Sequence, residues 1–271
     1  MTENTGRNDD SVPGLDLRLS GAGVLVTGGS SGIGLAAAGM LLTAGARVTI
    51  CGRSRDRLDA AAERLASPRL ATVVADVTEP EAAARAVGAA VEHGGRLDGV
   101  AAIAGRGRPG SLLDLPIDAV TAEIGDKVTG LLNVVRPAVE ELARTGGRVV
   151  AVTAPTARTP SIAMGAISAG RAALDNMVTT LAIELAPAGV RVNAVGVGLI
   201  DTPRQRERHR DDGVAVAYDE WLAAESSRRG VPLGRAGSAD EVAAAVVWLL
   251  SPLSSFTTGS VVDVTGGLPS R

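Results

Sequence analysis

Short apolar runs recur along the chain, and each is followed by a longer stretch rich in Ala and Leu at helical spacing. The runs Val24 to Val26, Arg47 to Ile50, Leu70 to Ala75, Leu97 to Ile103, Arg148 to Val152, Val190 to Val195 and Ser260 to Val264 predict strands. Between them, Leu35 to Ala44, Asp56 to Ala66, Glu79 to Glu92, Ile117 to Arg144, Gly165 to Pro187 and Ala239 to Leu250 predict helices. Strands alternating with helices across short turns imply an α/β fold, a parallel sheet covered on both faces. Residues 203–230 break the rhythm with dense charge around His209, Tyr218 and Trp221. They follow the sixth strand on its carboxyl side, where ligands of such sheets bind, and read as a mobile lid over the substrate. Residues 1–17 are polar and acidic and read as a disordered tail, leaving 18–271 as one domain.

The strand at Val24 to Val26 leads into Thr27-Gly28-Gly29-Ser30-Ser31-Gly32-Ile33-Gly34 and then into a helix. Glycine admits a positive φ and lets a ligand approach the backbone. A helix start near Gly32 aims unpaired N–H groups and the positive end of its dipole at that turn, which attracts phosphate. At the tip of the second strand, dinucleotide-binding folds carry an acid for the ribose 2′-OH or an arginine for a 2′-phosphate. Here Arg53 and Arg55 flank Ser54 and no acid is present, which favours NADP(H).

Composition narrows the picture. Aromatics are 1%, so Val, Ala, Leu and Ile must fill the core. A net charge of -3 without a dense basic patch argues against nucleic acid. The lone Cys51 excludes an internal disulfide. No apolar run reaches the roughly 18 residues of a membrane span, and the N-terminus lacks the form of a signal peptide, so a cytoplasmic protein is expected. No metal-ligand cluster is expected.

From residue 18 to about 268 the sequence resembles the short-chain dehydrogenase/reductase family. The resemblance rests on the glycine turn, Ala75-Asp76-Val77, Arg191-Val192-Asn193-Ala194-Val195, Leu199-Ile200-Asp201-Thr202-Pro203, and Pro232-Leu233-Gly234-Arg235 with Thr258-Gly259. It implies a Rossmann-type, doubly wound domain with a seven-stranded parallel sheet, assembled as a homotetramer or homodimer. It implies that Gly28, Ser30, Ser31, Gly32, Ile33 and Gly34 hold pyrophosphate, and that Asp76 and Val77 hold adenine. Ile200 and Thr202 would hold the nicotinamide carboxamide, with Ala104, Gly105 and Gly198 completing the cofactor cleft beside Arg53 and Ser54.

The family's chemistry uses an Asn, a Ser and a Tyr-x-x-x-Lys pair. The Tyr moves the carbonyl proton and the Lys lowers the Tyr pKa and holds the ribose. Aligning Arg171-Ala172-Ala173-Leu174 with the family's Lys-Ala-Ala-Leu puts Arg171 at the lysine position, Ile167 at the tyrosine, Ala154 at the serine and Lys127 at the asparagine. Ile167 cannot transfer a proton, and arginine stays protonated at ordinary pH. Proton handling, typically contributing ~10²–10⁴-fold, must come from elsewhere. Lys127 is the only lysine of the chain. Desolvated beside Arg171, it is a candidate general acid or electrostatic stabiliser, the alternative being a pair with Asp126 or Glu123. Thr153, Thr156 and Arg158 are candidates to orient a substrate, Tyr218 and His209 to bring a proton from the lid, and Arg106 and Arg108 to meet an acidic substrate. Three functions remain open: an NADP(H)-dependent oxidoreductase acting on a specialised metabolite, such as an iminium or other activated acceptor; a non-redox cyclase, isomerase or lyase; and an inactive binding subunit.

Overall fold

The computed structural model describes residues 16–269; the tail expectation for residues 1–15 lies outside them. Strands β1 (Gly23–Thr27), β2 (Arg47–Gly52), β3 (Leu70–Val74), β4 (Gly99–Ala102), β5 (Arg148–Thr153), β6 (Arg191–Val197) and β9 (Val261–Val264) form one seven-stranded sheet. Every pairing is parallel and the order is β3-β2-β1-β4-β5-β6-β9. The two-residue strands β7 (Ile200–Asp201) and β8 (Gly237–Ser238) pair separately. This is the Rossmann-type architecture expected from the sequence. Winding reverses between β1 and β4, which opens a crevice at their carboxyl ends, the place where such sheets bind ligands.

Alternation along the strands assigns the two faces. Val24, Val26, Val48, Ile50 and Val150 pack toward helices α1 (Gly32–Thr43), α2 (Arg55–Leu65) and α8 (Ala239–Leu250). Leu25, Cys51, Val100, Val149 and Ala151 pack toward α3 (Pro80–Gly94), α4 (Ile117–Thr145) and α5 (Gly165–Leu185). With few aromatics, close approach of helix to sheet comes from small side chains such as Ala37, Ala38, Ala83, Ala86 and Ala90, all buried. Two of the long helices start on a side-chain cap. Ser54 caps α2 by accepting from the Arg57 N–H at 3.4 Å, and Ser238 and Glu241 form a reciprocal capping box on α8.

Most boundaries move by one to three residues from those the pattern predicts, and two of the changes have a local cause. The fourth strand is shorter, because the chain leaves the sheet at Ile103. The fifth long helix ends at Leu185, and Pro187 falls in a short 3₁₀ turn, as its missing N–H requires. The charged segment folds into two helices, α6 (Pro203–Asp211) and α7 (Tyr218–Arg228). Glu225 holds them together, receiving Arg208 at 3.0 Å, Arg228 at 2.7 Å and Arg229 at 3.2 Å. Those guanidinium groups, Arg228 first, outweigh burial and hold its carboxyl down at about 2. Among the described residues no helix is long and apolar enough to cross a membrane.

Candidate active site

The crevice is built on the turn after β1. The Gly28 N–H donates to the Cys51 carbonyl at 2.9 Å, tying the turn to β2. Gly28 has φ +68, and a Cβ there would sit 3.0 Å from the Ala104 Cα on the facing loop. A Cβ on Gly34 would collide with the Gly28 carbonyl oxygen, so only glycine lets α1 begin this close to the turn. No side chain caps α1, and Ser31 stands extended at its N-cap. The first N–H groups of α1 therefore face the crevice, with the Thr202 methyl packed near Gly32. Thr27 Oγ1 accepts from the Ile103 and Ala104 N–H groups, both at 3.0 Å, and fixes the facing loop.

Farther out, Arg53 Nη1 lies 3.7 Å from Asp76 Oδ2, with the arginine 70% exposed and free to turn toward a ligand. Asp76 Oδ1 accepts from the Thr78 N–H and hydroxyl at 3.0 and 2.8 Å. Burial raises its pKa, but these bonds and Arg53 prevail and hold it below the usual carboxylate range. Asn133 on α4 donates to the Val77 and Thr78 carbonyls at 3.1 and 2.9 Å. Asn133 carries no distinct signal in the sequence, because its helical neighbours Thr129, Gly130, Arg136 and Pro137 are mixed in character. Ile200 is buried, and the Gly198 backbone packs so closely that a Cβ would lie 2.9 Å from the Thr265 backbone.

Deeper in the crevice stand the positions where the family pattern breaks. Glu123, Lys127, Leu131, Val134 and Val135 form the buried stripe of α4, apolar below and charged at its crevice end. Lys127 sends its amine to the Gly105 turn, where a Cβ on Gly105 would overlap Nζ. Its residue exposure is 6%, yet neither Asp126 nor Glu123 forms an ion pair with it among the described residues. Glu123 Oε2 instead accepts the Arg108 N–H at 2.8 Å, and its other oxygen is buried without a partner. Burial, then the neighbouring Arg171, lowers the Lys127 amine from 10.5 to about 7. Arg171 is buried and donates to the Val152 carbonyl, and its Nε has no partner. Burial lowers its guanidinium to about 10, so it remains a cation at neutral pH. Ile167 is buried directly beneath Gly107, whose added Cβ would lie 2.7 Å from Ile167 Cδ1.

The structure brings Lys127 and Arg171 together and leaves the other proton-handling candidates apart. Thr153 is fully buried and turned toward Asp175 on α5. Arg158 reaches Asp263 at 2.7 Å and Asp175 at 3.6 Å, so its charge is spent on the sheet edge. Tyr218 donates to Asp201 Oδ1 at 2.6 Å and stacks on Trp221, with Arg206 over its ring at 4.1 Å. Burial and Asp201 push its phenol above the ordinary range. Asp201 lines the groove along α1, together with Ser30, Ser31, Gly32 and Pro203. His209 packs edge-on against Tyr218, its Nε2 on the Val216 carbonyl oxygen at 2.9 Å. The three rings pack together between α6 and α7. Arg106 pairs with Glu207 on α6.

Comparison with known proteins extends the resemblance over nearly the whole chain. A family model described as enoyl-(acyl carrier protein) reductase matches residues 28–269. An uncharacterised oxidoreductase from Mycobacterium tuberculosis (strain CDC 1551 / Oshkosh) is 35% identical over 257 residues, covering 93% of this chain and 93% of that protein. The NADPH-bound structure of a short chain oxidoreductase from Pseudomonas aeruginosa PAO1 containing an atypical catalytic center matches with a TM-score of 0.87 at 36% identity, over 93% of this chain and 98% of that one. The structure of L-sorbose reductase from Gluconobacter frateurii complexed with NADPH and L-sorbose matches with a TM-score of 0.89 at 27% identity, over 95% and 100%.

Proposed function

The chain belongs to the short-chain dehydrogenase/reductase family, and from that premise we propose that it is an NADP(H)-dependent oxidoreductase in which Lys127 takes over the proton from the absent tyrosine. The crevice fits the dinucleotide on its own terms: two glycine positions that a Cβ would fill, an uncapped helix start for the pyrophosphate, and an exposed Arg53 for the 2′-phosphate. NADPH is also what the Pseudomonas and Gluconobacter structures hold. Gly28 to Gly34, Thr202, Ala104 and Gly105 would line the cofactor, and Arg53 and Asp76 its adenosine end. When bound, NADP(H) supplies the hydride donor or acceptor.

One observation carries the reading: the amine of the chain's single lysine, desolvated and without an ion-pair partner among the described residues, stands at the crevice floor beside a buried guanidinium. An ammonium lowered to about 7 is poised to give a proton near neutral pH and to take one back, which is what carbonyl reduction and alcohol oxidation require. Arg171 holds a positive charge beside it and accepts no proton. Ala154 and Ile167 contribute shape alone. The surrounding cations Lys127, Arg171 and Arg204, set against Glu123, repel a cationic acceptor. They favour a neutral carbonyl or an anionic substrate over an iminium.

The test is nicotinamide absorbance during turnover on a panel of ketones, aldehydes and keto acids with NADPH. The expected result is NADPH consumption that Lys127→Met reduces by at least about 100-fold. Product formed without an absorbance change would replace the redox reading with the cyclase, isomerase or lyase alternative. Absence of nucleotide binding in calorimetry would remove every cofactor-based reading.

A further inference from the structure

Arg204 stands in the first turn of α6, and its Nη2 donates to the Gly107 carbonyl oxygen at 2.5 Å. Two residues before that carbonyl, the Gly105 turn lies against Lys127 Nζ. One residue after it, the Arg108 N–H is held by Glu123, a helical turn before Lys127. A turn further along α6, Glu207 pairs with Arg106 in the same loop and, at 3.6 Å, with Arg57 on α2. Residues 105–108 are thus backbone with Lys127 on one side and the lid on the other.

We propose that Arg204 is a positioning residue for Lys127: seated on Gly107, the lid clamps the Gly105 turn against the Lys127 amine and adds a cation to its surroundings, so that lid position and proton donation are coupled. This rests on the proposed role of Lys127. The groups that act on the amine come from three elements. Glu123 and Asp126, on its own helix, favour the ammonium, whereas Arg171 from α5 and Arg204 from the lid oppose it. Arg171 is buried and belongs to the fixed body. Arg204 is exposed and belongs to the element that follows the substrate. Only the lid contribution can change when the lid leaves its seat. The consequence is ordered: an amine under an open lid keeps its proton, and one under a closed lid gives it up more readily, at the moment the substrate is enclosed.

The single lysine makes this directly measurable. The full chain labelled with [13Cε]-lysine gives one lysine signal in wild type and R204Q, and a second in R204K that is told apart by its absence from the wild-type spectrum; the Lys127 shift is followed against pH with saturating NADP+ in all three. With that charge removed, the R204Q midpoint is expected to rise by about half a pH unit or more. R204K, which keeps the charge, is expected to stay close to wild type. A wild-type midpoint near 7 with R204Q unchanged overturns the coupling and leaves the role of Lys127 standing. R204K matching R204Q overturns it as well, since a mere loop anchor would behave that way. A wild-type midpoint near the ordinary lysine value overturns the reading of Lys127 itself, whatever the variants do. R204A replaces R204Q should that variant not fold.

Discussion

Replacing Lys127 by Met should make the protein more stable and less active, and the gain should depend on pH. An amine that titrates at 10.5 in the unfolded chain and at about 7 when folded costs stability, and the cost builds up over the interval in which the unfolded chain holds the proton and the folded one does not. Above pH 10.5 both states are neutral and there is no penalty. As pH falls from there to 7 the penalty grows, and below 7 it is complete. At about 1.36 kcal/mol per pH unit the interval corresponds to about 4–5 kcal/mol. Met fills nearly the same volume and carries no charge to desolvate, so the variant escapes the penalty. Urea midpoints for both proteins at matched ionic strength, taken from pH 6 to 10, should coincide most nearly at the alkaline end. They should then separate as pH falls, with Lys127→Met ahead by about 3–5 kcal/mol at pH 7. A gap of equal size at every pH would falsify the reasoning, because it would trace the effect to packing rather than to a buried amine. A less stable variant at pH 7 would refute it outright.

Gly34→Ala drives a Cβ into the Gly28 carbonyl oxygen. It should cost about 1–3 kcal/mol, read as a fall of several degrees in melting temperature, and weaken NADPH binding at least about tenfold. Arg53→Ala should lower NADPH affinity about tenfold, about 1.4 kcal/mol by calorimetry, while NADH affinity stays unchanged. Its exposed pair with Asp76 should leave the melting temperature untouched. Tyr218→Phe keeps the stacked ring and loses the bond to Asp201, so turnover should stay within about threefold; a loss near 100-fold would put the phenol in the chemistry.

What the sequence disclosed about this site follows from how local each constraint is. The phosphate turn was legible because Gly28 and Gly34 answer to backbone atoms a few residues away, and only glycine fits. The alternation of Val24, Leu25 and Val26 foretold a sheet covered on both faces for the same reason. The segment 203–230 was legible as a charged interruption but not as two helices, because Glu225 pairs with three arginines that composition alone counts as solvated. Spacing also misleads at Glu123 and Lys127. Four apart on one helix, they should pair, yet Glu123 turns to the Arg108 N–H and Lys127 to Gly105, both on a loop that sequence distance conceals. Thr153 shows the same limit: its place after an apolar strand suggested the crevice, and the sheet register opposite Gly196 buries it.

The family's tyrosine works because a lysine beside it lowers its pKa, and that physical relation survives here with the groups exchanged. In the proposed mechanism the donor is Lys127, and the cation beside it is Arg171, at the position of the family's lysine. The pH dependence must then follow the donor's charge. Reduction needs the ammonium, so its kcat/KM should be flat on the acid side of about 7 and fall as pH rises through that value; oxidation needs the neutral amine and should rise over the same interval. Arg171→Gln removes the largest cationic neighbour and leaves Glu123 facing Lys127. Both profiles should therefore move to higher pH together, the reduction limb extending and the oxidation limb retreating. Profiles that stay at about 7 in that variant would mean that the titrating group is not pressed by Arg171, and the exchange of roles would fail with it.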